Sequence, residues 1–202
     1  SQGLADGVSK AAKALGMKVV NHEHVNQGDK DFSAILTMAK QKNADIFYMS
    51  LQGYSPAAMM TLQAKRLGLK SQIVTQDAVF QPKYMDVAKA ASEGVYLTYG
   101  FTDKSTPQYK AFEKRYVPKY GAIAAYATYA YDAATALLNA IKSAGSTNSR
   151  KVKAELMKQD FQGVAKHVKF RSNGDSGSSY IAYKIVDGEF VPYWEPVNGL
   201  IK

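Results

Sequence analysis

Asp77 and Tyr54 stand just beyond the carboxyl ends of two consecutive predicted strands, where a parallel sheet presents groups to a small polar ligand. A carboxylate in that position can make short, charge-assisted hydrogen bonds to an ammonium group. A tyrosine adds an apolar ring and a hydroxyl, which suits an amphipathic molecule. Each residue also has a plainer reading. Asp77 can cap the turn that follows it, and Tyr54 can staple the start of a helix. Phe80, close by, reads as packing.

Other constellations carry less chemistry. His22 and His24 share one face of a predicted strand, but no third ligand accompanies them, so they read as exposed histidines rather than a metal site. Gly174-Asp175-Ser176-Gly177 sets a serine between an aspartate and a glycine, yet it falls in a turn-rich hairpin with no histidine partner. There is no glycine-rich phosphate loop. The absence of cysteine excludes disulfides, thiolate zinc sites and cysteine nucleophiles. No catalytic set emerges, and neither a metal nor a cofactor is expected.

The elements that position Asp77 and Tyr54 form one βαβ unit. Asp45–Ser50 is a short apolar run that reads as a buried strand. Ser55 and Pro56 suit an N-cap and a first helical position, and Met59, Met60, Gln63 and Leu67 recur at helical spacing before Gly68. Gln72–Thr75 is a second strand, parallel to the first. Around this unit the spacing predicts a helix through Leu15, a strand at Met17–Val20 and a helix from Asp31 or Ser33. A weak helix at Pro82–Ala91 and a strand at Gly94–Thr98 follow. Beyond Gly100 come helices over 107–116, 122–143 and 151–158, the longest with Tyr126, Tyr129, Ala133, Leu137 and Ile141 on its inner stripe. The end alternates as strands at 168–171, 179–186 and 189–194, joined by turns at Asn173-Gly174 and Asp187-Gly188.

With 46% apolar and 21% charged residues, the chain lies in the range of folded globular proteins. The net charge of +9 raises the prospect of an acidic partner, but the lysines are spread singly along polar helix faces, without an RNA-binding motif. Nucleic acid is therefore not an expected partner. No apolar run approaches the ~18 residues of a membrane span. Ser1-Gln2-Gly3 leads directly into an amphipathic helix rather than a signal peptide, as a processed chain also would.

A doubly wound sheet normally begins with a strand near its centre, whereas this chain begins with a helix. The helical block over about 106–160 has apolar stripes but no strands of its own to cover. Both features predict that an N-terminal portion is missing. Alone, the chain is expected to be poorly stable, or to exchange elements with another chain or dimerise.

Eight stretches, in order, carry a resemblance that covers nearly the whole chain: QGLADG (2–7), GDKDFSAIL (28–36), ADIFYMSLQGYSP (44–56), QAKRLGLKSQ (63–72), TQDAVF (75–80), AFEKRYVPKYG (111–121), AAYATYAYDAA (124–134) and FRSNGDS (170–176). The chain resembles the C-terminal portion of a type I periplasmic solute-binding protein of the branched-chain amino-acid (Leu/Ile/Val) ABC transporter family. The resemblance implies an α/β fold of two lobes joined by three crossovers, with ligand bound between them. Residues 1–101 would form a parallel, doubly wound second-lobe segment, 102–172 helices of the first lobe, and 173–202 a β-hairpin returning to the second lobe. The sheet of the N-terminal lobe would lie before Ser1, with groups that usually hold the ligand carboxylate. Asp77 matches the acid that meets the ligand's α-ammonium. Gln52, Gly53 and Tyr54 match the loop over the ligand backbone. Tyr126 matches an aromatic facing the ligand side chain, although core packing on its tyrosine-rich helix is an equal reading. The implied function is periplasmic capture of a small, branched-chain amino acid, delivered by hinge closure to a membrane ABC permease. A ligand-sensing regulatory domain of the same fold is the alternative.

Overall fold

In the computed structural model, residues 2–196 and 198–201 are described, and the chain divides into two compact units, Ser1–Tyr99 with Ile181–Lys202, and Gly100–Tyr180.

Unit 1 opens with α1 (Gln2–Ala14), which buries none of its residues, and Gly16 beyond it takes the left-handed conformation at φ +80°. The strand expected at Met17–Val20 does not form. A strand is held by the ladder to its neighbour, and no described residue pairs with this segment. Then α2 (Ser33–Gln41) leads to β1 (Ile46–Met49), which lies at one edge of the sheet. Between α1, residues 17–29, α2 and β1 lies a cavity of about 1100 Å³, lined on the α1 side by Ala5, Val8 and Ala12. The apolar stripe of α1 therefore faces a void rather than a packed sheet.

After β1, α3 (Tyr54–Arg66) crosses to β2 (Gln72–Thr75), which pairs parallel with β1 in the register Ile46↔Gln72 to Met49↔Thr75. The predicted βαβ unit is thus present. Its helix begins earlier than expected, with Gly53 rather than Ser55 at the N-cap. Pro56 still costs nothing, because the first helical N–H groups have no intrahelical acceptor. The buried face is Ala57, Ala58, Met60, Thr61 and Ala64, and the expected Met59, Gln63 and Leu67 stand at its border. The small alanines let the helix backbone sit close to the sheet.

α4 (Pro82–Ala88) precedes β3 (Tyr96–Gly100), which pairs parallel with β2. In unit 2, α5 (Pro107–Tyr120) is capped by Thr106, whose hydroxyl accepts from the Tyr109 N–H. Next come α6 (Ala127–Ala144), α7 (Ser149–Leu156), β4 (Asp160–Gln162) and β5 (His167–Lys169). α6 starts five residues later than predicted, after Tyr126 in a left-handed conformation at φ +65°. It buries Thr128, Asp132, Ala136 and Ala140, one position away from the expected stripe, because Asp132 turns inward to bind backbone amides. β5 pairs with β4 in a sheet of its own, and not with the strand after Asn173-Gly174.

The chain returns to unit 1 through β6 (Tyr180–Val186), β7 (Glu189–Glu195) and β8 (Gly199–Leu200), giving the sheet order β1-β2-β3-β6-β7-β8. The β6–β7 hairpin turns as predicted at Asp187-Gly188, both at positive φ. The core of unit 1 gathers Phe32 and Leu36, Met49 and Leu51, the α3 alanines, Val79, Tyr84, Leu97 and Ile185. Each large side chain fully buried there contributes about 1.5–3 kcal/mol.

Tyr84 is wholly buried, and its hydroxyl lies 2.8 Å from Thr61 Oγ1. The single Thr61 hydroxyl proton is donated to the Ala57 carbonyl, so Tyr84 donates to Thr61. Burial pushes the Tyr84 phenol up to about 12. A raised phenol pKa stabilises the fold below the unfolded value near 10, and that stability is lost as pH rises from about 10 through about 12. Tyr84→Phe is expected to cost about 1 kcal/mol at neutral pH, and to flatten the alkaline fall of the unfolding midpoint, where the wild type loses roughly 2–3 kcal/mol to this group. Urea titrations at pH 8 and pH 11.5 measure both.

Candidate functional site

The exits of β1 and β2 lie side by side because the two strands are parallel and in register to their last residues, Met49 and Thr75. From β1 the chain runs through Leu51, Gln52 and Gly53 into α3. Gly53 takes φ +93° and ψ 160°, a conformation essentially reserved for glycine. This sharp entry brings Tyr54 to the first position of α3, half-buried against the core of unit 1, with Gln52 exposed beside it. No side chain caps α3, so its first-turn N–H groups are donors available to a polar ligand.

From β2 the chain runs through Gln76 into a single 3₁₀ turn, Asp77–Val79. Asp77 is half-buried at its head, and its carbonyl accepts from the Phe80 N–H at 2.9 Å. Phe80 turns away into the core, with ring centroids 4.4 Å from Tyr99, 4.7 Å from Tyr183 and 4.8 Å from Phe190. It packs, as its sequence context predicts.

Four of the five candidate residues, Gln52, Gly53, Tyr54 and Asp77, therefore occur at two adjoining strand exits of unit 1. Tyr126 belongs to unit 2, where it precedes α6 and is 46% exposed, so core packing does not account for it. His22 and His24 lie in irregular chain with ring centroids 5.4 Å apart, and His22 Nε2 is 3.5 Å from Asp6. Among the described residues no cluster of three potential ligands could hold a metal ion.

Two polar groups at these exits escape a reading by motif. Tyr48, on β1, is hydrogen-bonded to Ser50; burial pushes its phenol up, Ser50 opposes this, and the nearby negative charge of Asp77 adds to it. Residues i and i+2 of a strand share a face, so Tyr48 and Ser50 could have been found as a pair pointing toward the Asp77 side. Gln76 is the other: 9% exposed, it donates from Nε2 to the Leu51 carbonyl at 2.7 Å. A glutamine beside an aspartate gives no such signal in sequence. Together these groups offer a carboxylate, two phenols, a hydroxyl and free helix N–H donors around one edge. The chemistry of this set suits a compact molecule carrying a positive charge and further polar atoms.

A family model described as periplasmic binding protein matches residues 1–189. The chain is 33% identical over 192 residues to a Leu/Ile/Val-binding protein homolog of Brucella abortus, covering 93% of this chain and 51% of the relative. Among solved structures, a leucine-binding protein of Thermotoga maritima superposes with a TM-score of 0.86 at 30% identity, over 95% of this chain and 55% of that one. The branched-chain amino-acid transporter substrate-binding protein of Streptococcus pneumoniae, solved with isoleucine, gives a TM-score of 0.75 at 27% identity, over 92% and 54%. The chain thus spans about half the length of the relatives it matches.

Proposed function

The chain belongs to the periplasmic binding protein family, with the type I fold, and on that premise we propose that it takes part in capturing a small amino acid outside the cytoplasm for delivery to a membrane ABC permease. A branched-chain amino acid is the ligand favoured by the relatives, one bearing the name Leu/Ile/Val-binding and another solved with isoleucine. The family is one of solute-binding proteins, so the activity is binding without chemical conversion. The observation that carries the reading is Asp77 at the exit of β2, beside the Gln52–Tyr54 loop at the exit of β1. Its carboxylate would pair with the α-ammonium group, with Tyr54 over the ligand backbone and Tyr126 toward the ligand side chain. An apolar pocket would then select the side chain, while the polar groups hold the zwitterion. Residues of unit 1 would supply the second-lobe part of the site, and the permease would receive the loaded, closed form, with the address being periplasmic.

Thermal unfolding against a panel of amino acids, amides and aromatic acids tests this in the protein extended to the length of its relatives. A ligand at about 100 times its dissociation constant adds roughly 2.7 kcal/mol of stability. Leucine, isoleucine or valine is expected to give that shift. A response confined to acids without an amine would remove the amino-acid reading.

A further inference from the structure

We propose that Gln76 is a positioning residue for the ligand site, its buried amide clamping the loop that carries Gln52, Gly53 and Tyr54 to the turn that carries Asp77. This rests on the amino-acid-binding reading above. The backbone ladder between β1 and β2 ends at Met49↔Thr75. At that last pair Thr75 Oγ1 donates to the Met49 carbonyl at 3.1 Å, reinforcing a contact that the ladder already fixes. Gln76 reaches two residues further, to the carbonyl of Leu51, and so continues the cross-strand coupling past the end of the sheet. The bond joins the residue immediately before Asp77 to the residue that opens the loop to Tyr54.

The loop needs such a tie. Gly53 gives its backbone the widest conformational freedom of any residue, and a Cβ added there would meet nothing within 4 Å, so no surrounding wall holds it. Leu51 is 8% exposed and Gln76 is 9% exposed, so the bond is shielded from competing water. Because the partner is a carbonyl, the amide must present its NH₂ and not its oxygen, and its orientation is fixed. The mutual placement of an ammonium-binding carboxylate and a backbone-covering tyrosine is thereby tied across the end of the sheet by a side chain that itself needs no contact with ligand.

The test compares Gln76→Met, similar in shape but without the donor, with Thr75→Val in the full-length protein. Backbone order parameters from nitrogen-15 relaxation are followed at Gln52, Gly53 and Tyr54 without ligand, and leucine affinity is measured by calorimetry. Gln76→Met is expected to lower the order parameters of these three amides from about 0.85 toward about 0.6 and to weaken leucine binding about tenfold, the factor that one buried hydrogen bond carries. Thr75→Val is expected to lower the unfolding midpoint while leaving leucine affinity unchanged. Unchanged order parameters at residues 52–54 in Gln76→Met would overturn the proposal. Equal losses of affinity in the two variants would overturn it as well, since a merely structural role predicts them. If the wild type binds no amino acid, the functional reading fails, and the order parameters alone decide on the clamp.

Discussion

Asp77→Ala is expected to abolish the stabilisation of the protein by leucine, isoleucine or valine at concentrations that saturate the wild type. Truncating one partner of a hydrogen-bonded charge pair in a desolvated site costs about 2–5 kcal/mol of binding, a weakening of roughly 30- to several thousand-fold. The loss is large because the ligand's ammonium group, stripped of water on entering, would find no negative charge to replace it. Asp77→Asn keeps the shape and one acceptor oxygen but not the charge, so it should fall between the two and lose part of the salt sensitivity. Because Asp77 heads a 3₁₀ turn of which only Val79 is buried, neither substitution should cost the fold more than about 1 kcal/mol. That contrast separates the ligand role from simple turn capping, which predicts lost stability with retained affinity. Tyr48 supplies an internal check. Its phenol is raised by burial, and the charge of Asp77 adds to the shift, so Asp77→Asn should bring its titration down toward the ordinary tyrosine value in ultraviolet difference spectra.

What the sequence made legible follows from the range of the interactions. The βαβ unit, the Asp187-Gly188 hairpin and the positions of Asp77 and Tyr54 rest on local patterns: apolar runs, a serine and proline at a helix start, and a two-residue turn. Those patterns survived in the structure with shifts of one or two residues, as at Gly53, where a glycine conformation displaced the cap expected at Ser55. Met17–Val20 failed because its apolar character describes a strand only when a neighbour supplies the ladder. Here it borders a cavity of about 1100 Å³ beside β1. β4 was missed because Asp160–Gln162 carries one apolar residue in three and is a strand only by pairing with β5. The Gln76 bond and the inward turn of Asp132 depend on residues 25 and 32 positions away, beyond any periodicity.

Asp132 shows how much such a long-range contact can carry. It is 5% exposed on α6, and its two carboxylate oxygens accept from the N–H groups of Val164 at 2.6 Å and Ala165 at 2.7 Å. These amides lie in the turn between β4 and β5, closed by the Gly163 N–H on the Lys166 carbonyl. The carboxylate sits so close that a Cβ on Gly163 would fall 2.4 Å from Asp132 Oδ2, so this glycine is required for approach and not for its φ. Asp132→Ala would remove two charge-assisted bonds and leave two buried N–H groups without an acceptor, each worth about 1–3 kcal/mol. The expected loss is about 3–5 kcal/mol, a large share of the stability of a small domain. Asp132→Asn retains one acceptor and turns an NH₂ group against the second N–H, so a loss of about 1–3 kcal/mol is expected. Gly163→Ala should destabilise in the same region by pushing the carboxylate off its amides. Urea midpoints, with amide exchange followed over residues 100–180, measure all three. An Asp132→Ala protein as stable as Asp132→Asn would mean that the turn finds water or another acceptor once the carboxylate is gone.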